Sequence, residues 1–338
     1  MSEKMSKHVL GKSDLTVTPL GLGLAALGRP GYINLGHASD LEKNYDVSSM
    51  EAHAHTVLDA AWDAGIRYFD AARSYGRAEA FLGSWLKKRE IDPKAVVVGS
   101  KWGYEYTANW QVNVANGQQH EVKEHSLAML QKQLKESRAL LGEHLDLYQI
   151  HSATLKSAVL SNKAVLDELA RLRDAGLTIG LTVSGENQAD VIRKALEITY
   201  SGELLFSSVQ ATWNLLEQST TSALQAAHDA GLGVIIKEAL ANGRLTSRNA
   251  QPDFKEKLTL LKTHAEAYQT SIDALALAAV LHQPFVDIAL SGAARIEHLR
   301  SNLQALNLSA DESIKALQES MKEDAPTYWQ KRSQLDWN

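Results

Sequence analysis

One (β/α)8 barrel, an α/β fold of the TIM-barrel type spanning residues 1–338, is expected from three features of this chain. Eight short, β-rich apolar runs alternate with long amphipathic stretches from end to end, the pattern of repeated βα units around a parallel sheet. No Pro-, Ser- or Gly-rich linker interrupts the alternation, and no charge block marks a tail. Length agrees: 338 residues would allow two average domains, but an α/β barrel fills such a length as one.

The apolar runs centre on residues 15–24, 66–71, 95–101, 145–151, 177–184, 205–212, 232–238 and 285–292. After the first, Ser48 and Glu51 have capping-box spacing, Val57, Leu58 and Ala61 supply an apolar face, and Gly65 can stop the helix in the left-handed conformation. Such stripes recur at Leu127, Leu130, Leu134 and Leu141, at Val165, Leu169 and Leu172 before Gly176, and at Ile296, Leu299, Leu303 and Leu306. Each is one buried face wide, so these residues are assigned to packing. A last helix, from about Ala310 to Lys322, reads as charged and solvated. Residues 102–121 and 237–254 break the rhythm as long loops. Both leave the C-terminal end of a strand, where a barrel builds its active site.

Composition narrows the chemistry. With no cysteine, the chain has no disulfide framework, thiolate nucleophile, cysteine-ligated zinc or iron–sulfur cluster, so redox work would need a borrowed cofactor. A net charge of -5 argues against a large basic nucleic-acid footprint. No apolar run reaches the roughly 20 residues of a membrane span, and MSEKMSKHVLG lacks the apolar core of a signal peptide. The expectation is a cytoplasmic protein with neither nucleic-acid nor membrane partner. His53 and His55, two apart on a helix, point in opposing directions, so no metal site is expected.

Four polar residues stand at or just beyond strand ends: Asp70, Tyr75, Lys101 and His151. Inside a barrel those ends converge. A phenol with an ordinary pKa of about 10 donates poorly at neutrality unless a neighbouring ammonium stabilises the phenolate. Lys101 would be that ammonium, Asp70 would hold it and offset the cost of its burial, and His151 would fix a substrate oxygen or relay the proton. A phenol acid facing a carbonyl, without thiol or metal, suggests hydride transfer from a bound cofactor.

With these residues in place, the sequence resembles the aldo-keto reductase family, at GLGLAALG (21–28), FDAARSYGRAEAFLG (69–83), VGSKWGY (98–104), LDLYQIH (145–151), VSGENQ (183–188), VQATWN (209–214), GVIIKEALANGRL (233–245) and GAARIEHLRSNLQAL (292–306). The resemblance implies a barrel preceded by a small β-hairpin, and reduction of aldehydes or ketones with NAD(P)H. It makes Asp70, Tyr75, Lys101 and His151 the catalytic tetrad, with Tyr75 as the acid. Gly23, Leu24 and Asp70 fall on the cofactor side of the mouth, and Ser184 and Gln210 match positions that hold the nicotinamide carboxamide. Leu240, Asn242 and Gly243 lie in the loop that would embrace the pyrophosphate, and Ala293, Arg295, His298 and Asn302 match the adenosine end. Gly21 and Gly23 sit in a strand without the third glycine of a Rossmann fingerprint, consistent with a cofactor extended over the mouth.

Several positions depart from the family pattern. Gly185 stands where an asparagine usually follows Ser184, and Lys237, followed by Glu238, replaces the aromatic that stacks on the nicotinamide. The Lys237 stem could cover a ring face and its ammonium meet a phosphate, or Trp213 could supply the aromatic surface. Arg295 favours the 2′-phosphate of NADP, but His298 replaces an arginine one turn later, so NADP is preferred with NAD as the alternative. Trp102 and Tyr104, with Tyr106 and Trp110, mark the third loop as the substrate pocket beside His151, for a small carbonyl or sugar-like molecule. Alternatively, these aromatics pack the loop onto the barrel. The stretch 326–338, with Tyr328, Trp329 and Trp337, either crosses the mouth or docks on the outer helices. Two rival functions share this site: NAD-linked oxidation of a sugar lactol or alcohol, and a redox-sensing regulatory subunit like the reductase-like β subunits of potassium channels. Substrate identity and oligomeric state are open at this level.

Overall fold

In the computed structural model, which describes residues 5–115, 117–309 and 311–338, the eight apolar runs close into a barrel of eight parallel strands. In chain order the strands are β1 (His8–Val9), β2 (Thr16–Val17), β3 (Leu20–Gly23), β4 (Tyr68–Asp70), β5 (Val97–Trp102), β6 (Tyr104–Tyr106), β7 (Glu121–Lys123), β8 (Leu145–Ala153), β9 (Thr178–Val183), β10 (Thr199–Tyr200), β11 (Glu203–Leu204), β12 (Ser208–Thr212), β13 (Gly233–Lys237) and β14 (Ile288–Ser291). Around the barrel run β3, β4, β5, β8, β9, β12, β13 and β14, the last pairing back onto the first.

The first expected run, 15–24, is two strands rather than one. Pro19 offers no N–H to a ladder, and the chain changes partner there: Thr16–Val17 pairs antiparallel with His8–Val9, and only Leu20–Gly23 joins the barrel. The β1–β2 hairpin plugs the N-terminal mouth. Leu10 and Val17 pack with Tyr68, Val97, Leu147, Ile235, Ile288 and Leu290, and the Lys12 N–H donates to the Gly231 carbonyl at 2.9 Å. A Cβ on Gly99 would lie 2.5 Å from the Tyr68 hydroxyl, so that glycine makes room for the ring inside the barrel. Polar residues are thereby left to the opposite end.

The helices are α1 (His37–Asp40), α2 (Val47–Asp63), α3 (Ala78–Lys88), α4 (Leu127–Leu141), α5 (Lys163–Asp174), α6 (Gln188–Ala195), α7 (Thr221–Asp229), α8 (Lys255–Ala267), α9 (Ile272–Leu281), α10 (Ile296–Leu303), α11 (Glu312–Met321) and α12 (Ala325–Ser333). Val57, Leu58 and Ala61 of α2 are fully buried, and Gly65 takes φ 95° after it. Its cap differs from expectation: Asp46, not Ser48, accepts the Ser49 N–H, at 2.9 Å, because α2 begins at Val47 and Ser48 already lies in its first turn. Leu306 is also displaced from the expected stripe. The chain tightens into a 3-10 turn at Gln304–Asn307 and leaves that side chain exposed. Ala310, the expected start of the next helix, lies outside the described residues, and α11 runs from Glu312.

Beyond α11 a further helix, α12, anchors Tyr328 in a satellite core with Leu215, Leu216 and Phe254. The chain then crosses the mouth. Trp337 stacks on His120 with centroids 3.9 Å apart, and Asn338 exchanges backbone hydrogen bonds with Tyr32. No helix among the described residues is long and apolar enough to span a membrane.

Candidate active site

Strand alternation decides which side chains enter the barrel mouth. Asp70 closes β4, Lys101 is the penultimate residue of β5, and Gln210 is central in β12. Their side chains meet: Lys101 Nζ donates to Asp70 Oδ2 and, at 2.8 Å, to the Ala71 carbonyl, while Gln210 Nε2 donates to Asp70 Oδ1 at 2.9 Å. The ammonium is fully buried. Burial lowers its pKa and Asp70 opposes that shift.

Tyr75 stands on the loop after β4, with Lys101 Nζ 4.8 Å from its ring centroid. His151 arrives by a different device. The register of β8 slips against β9 between Ile150 and Ala153, and Ser152 takes φ 51°, an irregularity that turns the imidazole toward the mouth. Its ring lies edge-on to Tyr75 at 5.5 Å, and its Nδ1 is 3.3 Å from the Ser74 hydroxyl. Burial, reinforced by Lys101 and Lys237, holds His151 well below the ordinary imidazole value, so it is neutral at neutral pH. Burial and then Asp70 push the Tyr75 phenol well above its ordinary value, with Arg29 opposing. The acidification expected from Lys101 is therefore not what the resting cavity provides, because Asp70 engages that ammonium. Tyr75 instead stands protonated, as a donor must.

A cavity of about 490 Å³ opens over these groups and is lined by Asp70, Tyr75 and His151 at one end and by His298, Ser301 and Asn302 at the other. Between them lie Ser184, Gln210, Lys237 and Glu238. Lys237 Nζ donates to Ser184 Oγ at 2.9 Å and to Thr212 Oγ1 at 2.8 Å, so its ammonium caps the strand ends. Burial brings it down to about 8.

Comparison with known proteins now decides the family. The sequence profile described as "Aldo/keto reductase family" matches residues 19–322. The chain belongs to the aldo/keto reductase family. This aldo-keto reductase is 26% identical to the uncharacterized oxidoreductase YqkF of Bacillus subtilis, over 95% of this chain and 98% of that protein. It is 27% identical to the NADH-specific methylglyoxal reductase of Escherichia coli, over 94% of this chain and 99% of the relative. An aldo-keto reductase from Bacillus halodurans, solved in its holo form, shares the fold with a TM-score of 0.72 at 21% identity, covering 95% of this chain and 97% of the other.

The reductase's cleft gathers most, not all, of the residues singled out in the sequence. Gly23, Leu240, Asn242, Gly243, Ala293, His298 and Asn302 line it with those named above. Leu24 does not: one residue beyond Gly23, it turns into the core, fully buried, and its N–H donates to the Asp70 carbonyl at 2.9 Å. Trp102 is displaced from the substrate pocket for the same reason, since next to inward Lys101 it faces outward and packs edge-on to His125. Tyr104 rests against His151, with centroids 4.9 Å apart, without lining the cavity. Trp110 donates to the Tyr45 carbonyl at 2.6 Å, fastening the third loop to the connection between α1 and α2. Trp213 is fully buried against Phe285 and supplies no cleft surface. Arg295 points its Nε at Glu297, 3.4 Å away, and stands outside the cavity lining. His53 and His55 bond backbone carbonyls, and no cluster of three or more metal-ligating side chains occurs among the described residues.

Other lining residues escaped the sequence reading. Arg29, only 3% exposed, donates to the Ser74 carbonyl at 3.1 Å and to Glu121 at 2.9 Å, and its guanidinium lies over Tyr32, Tyr75 and Trp337. Asp40 enters from α1, Arg248 from the loop after β13 and Arg332 from α12; Trp337, which the sequence left between the mouth and the outer helices, lines the cavity too. The long connection between β3 and α2 was the available signal for Arg29 and Asp40.

Proposed function

We propose that this aldo-keto reductase reduces the carbonyl of a small molecule using a nicotinamide dinucleotide laid along the cleft, with Tyr75 as proton donor. The convergence of Tyr75, neutral His151 and Asp70 on one cavity, with Lys101 buried behind Asp70, carries this reading. An extended polar ligand also fits the rest of the cleft. The Asn242 side-chain oxygen is buried there without a partner, and Asn242 and Gly243 take φ 56° and 90°, which presents backbone to the cavity.

The bound nicotinamide supplies the hydride. His151 receives the carbonyl oxygen: in the neutral tautomer whose Nδ1 accepts from the Ser74 hydroxyl, 3.3 Å away, Nε2–H donates to that oxygen. Tyr75 then delivers the proton as negative charge grows on the oxygen, and Arg29, whose guanidinium lies 5.1 Å from the ring centroid, stabilises the phenolate left behind. Asp70 holds Lys101 in place, and Gln210 holds Asp70. The tail at Trp337 narrows the access of water to the substrate end.

The test is Tyr75→Phe, assayed over a carbonyl and sugar panel with each nicotinamide cofactor, in both directions. Turnover should fall by about 10²–10⁴-fold, as for loss of a general acid, while dinucleotide binding is retained. Undiminished turnover sinks the mechanism.

A further inference from the structure

The end of the cleft remote from Tyr75 carries charged groups that the catalytic reading leaves unused. Asp40, Asp273 and Glu297 line it from three separate elements, α1, α9 and α10, and Arg248 and His298 line it beside them. Arg248 is committed. Its Nη1 donates to Asp40 Oδ2 at 2.8 Å and to the Leu35 carbonyl at 3.2 Å, and its Nη2 donates to Asp40 Oδ1 at 2.6 Å. The same Nη2 lies 2.8 Å from His298 Nε2. An arginine can only donate, so that nitrogen accepts and the imidazole carries no charge in this arrangement. Burial favours the same neutral form.

Arg295 offers no substitute. Its guanidinium is drawn to Glu297 at 3.4 Å and Glu42 at 3.9 Å and stands outside the lining. Asn302 does not bring positive charge either. In the amide orientation that satisfies its neighbours, its nitrogen donates to Asp273 Oδ2 at 3.0 Å and its oxygen accepts from the Ser291 hydroxyl at 2.8 Å. Three carboxylates therefore line this end, and the guanidiniums beside them are already paired, Arg248 with Asp40 and Arg295 with Glu297 and Glu42. A ribose 2′-phosphate would enter this end as a dianion with no uncommitted cation among the described lining residues to meet it, whereas a free 2′-hydroxyl can donate to a carboxylate.

Resting on the dinucleotide reading above, we infer that this cleft selects NAD(H) against NADP(H), and that Asp40, Asp273 and Glu297 set the preference by repelling the 2′-phosphate. The Arg248–Asp40 pair is one of the fastenings between the α1 segment and the loop after β13, and it keeps the guanidinium from serving as a phosphate ligand.

Direct binding tests this without turnover. Titrations of NADH and of NADPH into the full-length protein, read by calorimetry, should show NADH tighter by about tenfold or more, the scale of like charges held several ångströms apart. The gap should narrow as salt screens the repulsion. Glu297→Gln, at a side chain 69% exposed and so neutral to folding, should tighten NADPH several-fold and shift NADH far less, because the amide oxygen of the new side chain still accepts from a 2′-hydroxyl. Asp40→Asn, checked for folding by circular dichroism, should do the same by releasing Arg248. Equal affinities, tighter NADPH, or no gain of NADPH affinity in either folded variant overturns the inference while leaving the dinucleotide reading intact. Binding of neither dinucleotide overturns both.

Discussion

Arg332, in the last turn of α12, closes a two-point ion pair with Glu238, the residue that follows β13: Nε donates to Oε2 at 2.8 Å and Nη2 to Oε1. Glu238 holds φ 54° to present that carboxylate and is 7% exposed. The pair ties the C-terminal segment to the strand end beside Lys237, and so to the cleft wall. Removing the guanidinium leaves a buried carboxylate with Lys237, 3.8 Å away, and the Thr212 hydroxyl, 3.4 Å from Oε2. Arg332→Ala should cost about 3 kcal/mol of stability. Hydrogen exchange should rise in residues 325–338 before it rises in the barrel, and exchange confined to the barrel would contradict this.

Acid should release the same fastening. Burial raises Glu238, but Arg332 and Lys237 outweigh it and hold the carboxyl at about 2, below its ordinary 4.5. A carboxyl depressed in the folded state stabilises fully above its unfolded value and loses that contribution as pH falls toward its folded one. Between pH 4.5 and about 2 the tail should therefore loosen, moving the Trp337 environment and its fluorescence. Glu238→Gln, which lacks the titrating group, should flatten that part of the profile.

The Asp70–Lys101 pair calls for a double-mutant cycle. Both partners are buried, so Lys101→Met or Asp70→Asn alone strands a charge or a donor and should cost about 3–5 kcal/mol. The double variant should recover part of that loss in chemical denaturation while turnover stays abolished. Simple additivity of the two single costs would show that they are not coupled.

Gly28 sets the position of Tyr75 through backbone contact. A Cβ there would lie 2.3 Å from the Tyr75 carbonyl oxygen and 2.5 Å from Ala78 Cβ. Gly28→Ala must push the Tyr75 segment away, at about 1–3 kcal/mol for overpacking. Turnover should fall by at least about tenfold, since small misplacements of reacting groups are costly. An unchanged rate in a folded protein would mean that the loop absorbs the shift elsewhere.

Much of this site was legible in the amino-acid order, because residues carried by strands obey a strict alternation. Asp70, Lys101 and Gln210 point into the mouth since their strands are pinned by buried apolar neighbours, whereas His151 needs the irregularity at Ser152 and Tyr75 the loop after β4. Parity also accounts for the errors at Leu24 and Trp102. Leu24 follows the lining residue Gly23 and Trp102 follows the inward-pointing Lys101, and one residue reverses the face of a strand. Pro19 marked where the first run divides, but its effect depended on which strand the chain met next.

The sequence by itself determined the barrel, the family and the four catalytic candidates, since those rest on local periodicity and on spacing within single βα units. Only the tertiary structure decided what covers and charges the cleft. Arg29, Arg248 and Arg332 come from loops and a terminal helix with no period to read, and their roles exist only through partners far along the chain: Glu121, Asp40 and Glu238. Arg295 shows the converse. Its position matched a phosphate ligand, yet its guanidinium turns to Glu297 and Glu42, because a charged side chain goes to the partner the folded surface offers and its place in the chain does not fix that choice.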